Sequence, residues 1–301
     1  MKGRIQKNKT TLRALLFALA VAAAGFLDPD SAQGGEAVDL ALVIATDTSR
    51  SIDEAEARLQ RDGVSAALRD PQVIQAIQSG YHRRIGVAYI DWSSDLYTTV
   101  VVPWRIIDSA ASAEEYARIL NEGRITLGQR TSISDGLALA YKLLSDGTMQ
   151  ATRQVIDVSG DGPNNRGRLV TEARDEIVSK GVTINGLPII NMRDQYGPGM
   201  FLKDLDDYYR GCVIGGQGAF IIVAKNFEDF ANAIRRKLII EIAGETPPAT
   251  PPVVPVNNRG IVPIASSDPQ KFGSGFVYEP GCDIGERAWQ RQLDYYNPGR
   301  R

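Results

Sequence analysis

Between Val38 and Ile242, short apolar runs alternate with stretches of helical spacing, and that alternation limits what this chain can fold into more than any other feature. Val38–Ala45 (VDLALVIA) reads as a buried strand, and Ile52–Leu68 places Ala55, Leu59, Val64, Ala67 and Leu68 on one helical face. Arg84–Ile90 and Tyr97–Val102 are β-branched and aromatic, which predicts strands. Helices are expected over Ala113–Asn121, Ile133–Leu144, Val170–Lys180 and Phe227–Ile242, with a weaker one over Phe201–Tyr209. Gln154–Val158, Val182–Ile190 and Ala219–Ala224 complete a set of six strands. Such alternation predicts a doubly wound α/β domain over residues 37–244, its mostly parallel sheet covered on both faces. The nearly continuous apolar strands around Val43 and Ile221 agree. Tyr97–Val102 follows its predecessor after a short turn, so it is expected as an antiparallel edge strand.

The two ends differ from this core. Lys2, Arg4, Lys7, Lys9 and Arg13 precede an uninterrupted apolar run, Ala14–Leu27, and residues 1–33 read as a secretory signal peptide. The run is short of the roughly 20 residues of a membrane span, so no stable span is expected after cleavage. Cleavage after Ala24 or after Ala32 fits equally, and an uncleaved anchor is the alternative. The location this implies is periplasmic or secreted. Removing the leader takes five basic residues against only Asp28 and Asp30, leaving the remainder more acidic than the −2 of the whole chain. A chain of that balance has no electrostatic footprint for nucleic acid.

Residues 245–256 hold Pro247, Pro248, Pro251, Pro252 and Pro255 and are expected to form an extended linker. Residues 257–301 are then a tail too short for a core of its own. The chain has two cysteines, Cys212 and Cys282. An even count in an oxidising compartment predicts one disulfide, which would pin the tail to the domain. By the loop-entropy relation it contributes roughly 4 kcal/mol.

Chemistry concentrates in three places. Asp47-Thr-Ser49-Arg-Ser51 follows the first strand, Thr131 lies in the loop before the helix that opens at Ile133, and Asp161-Gly162 ends the strand after that helix. Open α/β sheets put their ligands at this topological switch point. If the strand ending at Asp161 lies beside the first, two carboxylates and three hydroxyls converge. All-oxygen sets of this kind suit hard divalent cations. Hydroxyls are neutral, so the metal stays electrophilic and seeks a further anion.

These segments resemble the metal ion-dependent adhesion site of von Willebrand factor A domains, and the alternation from Val38 to Gly244 resembles that fold. More closely, the runs IDVSGDGPNNRG, TINGLPI and CVIGGQGAFIIVA are similar to a bacterial family of exported proteins of unknown function with A-type domains. The resemblance implies a six-stranded sheet of order 3-2-1-4-5-6, one Mg²⁺ or Mn²⁺ ion (Ca²⁺ is also compatible), and binding of another protein through its Asp or Glu. It further implies Ser49, Ser51 and Thr131 as direct ligands, with Asp47 and Asp161 direct or acting through water. Gln129-Arg130 before Thr131 and Ser159-Gly160 before Asp161 depart from the usual form.

Plainer readings exist for each part. Ser51 with Glu54, and Ser132 with Asp135, have capping-box spacing. Asp161-Gly162-Pro163-Asn164-Asn165 has turn composition. Asp157, inside a strand, is expected to be half buried and to pair with Arg84 or Arg153 or to accept backbone hydrogen bonds. Asp204, Asp206 and Asp207 read as an acidic solvated face, and Trp92 and Trp104 as core or rim. The single histidine, His82, lies far from Asp47 in the expected topology, so no Ser-His-Asp triad can form there. A Mg²⁺-dependent hydrolase or phosphotransferase using Asp47 is the enzyme alternative, yet such sites need a second carboxylate where Ser49 stands. A metal-free scaffold and a two-lobed solute receptor are the remaining classes.

Overall fold

The computed structural model describes residues 35–94, 97–190, 202–243 and 276–296. The expected leader and Pro-rich linker, and most of the tail, lie outside them. Strand β1 (Glu36–Asp47) pairs in parallel with both β2 (Ile85–Trp92) and β4 (Met149–Gly160). β4 pairs in parallel with β5 (Thr183–Pro188), and β3 (Thr99–Ile107) runs antiparallel on the β2 edge. The order β3-β2-β1-β4-β5 reverses direction between β1 and β4, which makes that pair the switch point.

The alternation of side chains along β1 explains the two covered faces. Leu40, Leu42 and Ile44 point into one apolar cluster, with α1 (Glu54–Leu68), α2 (Pro71–Ser79), α3 (Ala110–Glu122) and α7 (Phe230–Ala243). Ala41, Val43 and Ala45 point into the other, with α4 (Ile133–Leu144) and α5 (Val170–Val178). The members of both clusters are almost fully buried, and truncating Leu42 to Ala would cost about 2–5 kcal/mol.

Three expectations need correction. The sixth strand is not formed as a ladder: residues 219–224 lie beside β5 through isolated parallel bridges, Gly186 to Ile221 and Ile189 to Ala224. Phe220 gives its amide to the Asn185 side chain at 2.9 Å instead of to a neighbouring backbone. The weak helix over Phe201–Tyr209 shrinks to one turn, α6 (Leu205–Tyr208), which widens into a π turn over Tyr209–Val213. The first helix starts later than expected and is followed by α2, a separate helix with Asp70 as its cap and Pro71 at its first position.

The disulfide between Cys212 and Cys282 is formed, with Cα atoms 5.5 Å apart. It fastens α8 (Ile284–Tyr296) to the segment after α6. Among the described residues, no helix is long and apolar enough to cross a membrane.

Candidate metal centre at the carboxyl end of the sheet

Parallel pairing of β1 with β4 matches Thr46 to Ser159, so Asp47 and Asp161 leave the sheet side by side. The loop after β1 turns at once: the amide of Ser49 donates to Asp47 Oδ1 at 2.7 Å, and Ile52 N to Ser49 O at 2.9 Å. That turn aims Ser49 and Ser51 the same way, their hydroxyl oxygens 3.3 Å apart. Ser51 Oγ donates to Asp161 Oδ1 at 2.5 Å, and Thr131 Oγ1 donates to Ser49 Oγ at 3.4 Å. All five residues singled out in the sequence therefore meet, contributed by three loops.

Ser51 does not cap α1. The cap is Asp53, in a reciprocal box with Glu56, which leaves the Ser51 hydroxyl to Asp161. Ser132 does cap α4, receiving the amide of Asp135 at 3.3 Å.

Burial sets the electrostatics. Asp47 is fully buried, and its Oδ2 has no hydrogen-bond partner. Burial first, then the charge of Asp161, pushes the Asp47 carboxyl well above the usual range, against the hydrogen bonds from Ser49. Behind it stands Tyr209, whose hydroxyl is also unpartnered and whose phenol is raised by burial and then by Asp47. A Cβ at position 160 would stand 2.9 Å from Asp47 Oδ2 and 3.0 Å from the Tyr209 hydroxyl, so the glycine there makes room for both.

The loops are held from outside. Asn165 Oδ1 accepts the amide of Thr131 at 3.1 Å and Asn165 N donates to Thr131 O at 2.8 Å, joining the Thr131 loop to the Asp161 loop. Asn164 Oδ1 accepts from Ser134 N, and its Nδ2 donates to Glu286 Oε1 on α8 at 2.7 Å. Arg130, beside Thr131, has its guanidinium carbon 2.9 Å from the centroid of the Trp289 ring. On the far side, Arg61 bonds Asp91 at 2.6 Å and also the carbonyls of Leu120, Gly123 and Arg124, anchoring the chain that leads to Gly128. Tyr209, Arg61 and Trp289 were not among the residues singled out. Tyr209 ends a weakly patterned segment, Trp289 lies in the tail, which reads only as too short for a core of its own, and Arg61 looks like an ordinary charge on the polar side of a helix.

Other singled-out residues stand elsewhere. Asp157 is fully buried, not half buried, and its partner is Lys237 of α7, not Arg84 or Arg153. Asp206 and Asp207 both pair with Arg210. Trp92 is in the core, and Trp104 is part-buried with its indole donating to Leu143 O. His82 precedes β2 at the opposite end of the sheet, its amide bonded to Asp39.

Two carboxylates, one of them with an orphaned oxygen, and three hydroxyls form a donor set that fits a hard divalent cation. Among the described residues no group of three or more His, Cys, Asp and Glu gathers that could hold a metal, so such a set has to rely on hydroxyls. With the sheet order, this cluster at the switch point defines a doubly wound α/β domain with an oxygen-rich site at the carboxyl end of its sheet. The chain belongs to the family described as protein of unknown function (DUF1194), whose model matches residues 37–246.

Similar solved structures include proximal thread matrix protein 1 from the mussel byssus with a zinc-occupied MIDAS motif (15% identity, TM-score 0.48, covering 69% of this chain and 47% of that one). The pilus adhesin SpaC from Lactobacillus rhamnosus GG is similar at 12% identity and TM-score 0.48, over 68% of this chain and 30% of that one. The von Willebrand factor type A structure from Catenulispora acidiphila is similar at 14% identity and TM-score 0.42, over 68% and 43%. The chain spans less than half the length of each. No curated protein matches it.

Proposed function

We propose that this is an exported protein-binding module, used in adhesion or assembly in the periplasm or outside the cell, that catalyses no reaction itself. One divalent cation, Mg²⁺ or Mn²⁺ with Ca²⁺ also compatible, is held by Asp47, Ser49, Ser51, Thr131 and Asp161. Through it the protein captures an Asp or Glu side chain of a partner. The carrying observation is the meeting of Asp47 and Asp161 with three hydroxyls in a largely buried cluster where one Asp47 oxygen has no partner. A cation relieves the repulsion between the two carboxylates, and three neutral ligands leave it enough charge to attract another anion. The complete burial of Asp47 argues against its use as a phosphate-accepting nucleophile.

The test is a calorimetric titration of the chelator-treated protein with Mg²⁺, Mn²⁺ and Ca²⁺, beside Asp161→Ala. Saturable binding of one ion by the parent chain and its loss in a variant with unchanged circular dichroism are expected. Equal affinity in the variant would remove the site, and no binding by the parent would favour a metal-free scaffold.

A further inference from the structure

We infer that the partner segment is multiply acidic, because Arg50, Arg130 and Arg166 edge the metal cluster where they can engage carboxylates flanking the one at the cation. This rests on the metal-dependent reading above and names its ligand class.

Each arginine belongs to a different loop of the site. Arg50 stands between Ser49 and Ser51, Arg130 precedes Thr131, and Arg166 follows the Asn164-Asn165 pair that is bonded to the Thr131 and Ser134 amides. Arg50 and Arg166 are exposed. Arg130 is half-buried and held from two sides: its carbonyl accepts Ser93 Oγ at 2.5 Å, and its guanidinium rests on Trp289.

Among the described residues, none of the three is in an ion pair. Of the nearby acids, Asp135 accepts from Ser132 Oγ at 2.6 Å, and Glu286 accepts from Asn164 through one oxygen while its other oxygen has no hydrogen-bond partner. Three unpaired cations on adjoining loops of one site favour an anion, and a segment with several carboxylates can lie across those loops. Guanidinium forks match carboxylates in two-bond geometry. A nucleic acid needs a longer positive track than one cluster on a chain of net charge −2 provides.

The experiment is fluorescence anisotropy with the full chain and two labelled Gly-Ser peptides, one carrying three acidic residues and one a single glutamate. Both are titrated in Mg²⁺ and in chelator, at low and high salt, with calorimetry of Mg²⁺ in parallel. In Mg²⁺ the three-acid peptide is expected to bind roughly tenfold tighter at low salt, the advantage shrinking as salt rises. In Arg50→Gln/Arg166→Gln, whose changes are at exposed positions, the advantage should fall to about twofold.

If Mg²⁺ binds but the two peptides bind alike, this inference is overturned while the metal reading stands. If Mg²⁺ does not bind, the metal reading itself fails. Inorganic phosphate, an oligonucleotide or an anionic vesicle binding as tightly as the three-acid peptide would also overturn it, in favour of a general anion site. The salt dependence of the parent chain decides the matter without any variant.

Discussion

Asp47 can be a ligand because its neighbours are small. Gly160 leaves space at its Oδ2, and the tight turn at Ser49 satisfies its other oxygen. Gly160→Ala is therefore expected to push against both Asp47 and Tyr209, lowering stability by about 1–3 kcal/mol and weakening Mg²⁺ binding more than tenfold. A thermal melt and a calorimetric titration measure the two effects, and an unshifted affinity would mean that Asp47 is not held by that gap. The meeting of the five ligand candidates was readable because residue types, order and position at the carboxyl end of the sheet agreed. Their holders were not, since Asn165, Tyr209 and Arg61 act through loops that meet only in three dimensions.

Strand β4 and helix α7 are joined by a buried ionic cluster. Lys237 contacts Asp157 and lies 3.2 Å from Glu241, which also receives the Asn185 side-chain amide. Burial, and next the charge of Glu241, raise the Asp157 carboxyl to about 8, against the pull of Lys237. In the unfolded chain a carboxylate of this type titrates near 3.9, so the folded state keeps a proton that the unfolded state releases.

The sign follows: this contribution to stability is full below about pH 4 and is lost as pH climbs through about 8. Urea midpoints are expected to fall between about pH 5 and pH 9 in the parent chain, and this part of the slope to vanish in Asp157→Asn. A slope untouched by the substitution would show that another group titrates there. Lys237→Met leaves the buried Asp157–Glu241 pair without its cation and is expected to cost about 3–5 kcal/mol, read by urea denaturation at neutral pH. Sequence patterning marked Asp157 as unusual within a strand but named the wrong partner. Lys237 and Glu241 have the spacing of a common surface pair on a helix, and only the packing of α7 turns that pair inward.

The order of the sheet followed from the resemblance to von Willebrand factor A domains, whereas the alternation of apolar runs by itself leads only to a mostly parallel sheet covered on both faces. The interrupted sixth strand did not, since a side-chain acceptor such as Asn185 breaks a ladder without changing the apolar pattern. The even cysteine count predicted the bridge, but no pattern foretold that the bridged helix would lie against the site loops. Cys282→Ser is expected to free α8: the melting temperature should fall, with the loss approaching about 4 kcal/mol, and Trp289 fluorescence should shift toward that of exposed indole. An unchanged emission maximum would show that α8 docks without its tether.

The family match ends at residue 246, yet Arg130 lies against a ring at position 289, and Gly285 lets α8 come so near Asn164 that a Cβ there would collide with its carbonyl. A chain cut at the family boundary would keep all five oxygen donors and still differ from the intact protein. Cys212 would be left without its mate, Arg130 would lose its aromatic platform, and Asn164 its bond to Glu286. Metal affinity and partner affinity should then separate: the shortened chain should hold its ion nearly as well but grip an acidic partner less firmly. The boundary of homology is thus not the boundary of the structure packed around these loops.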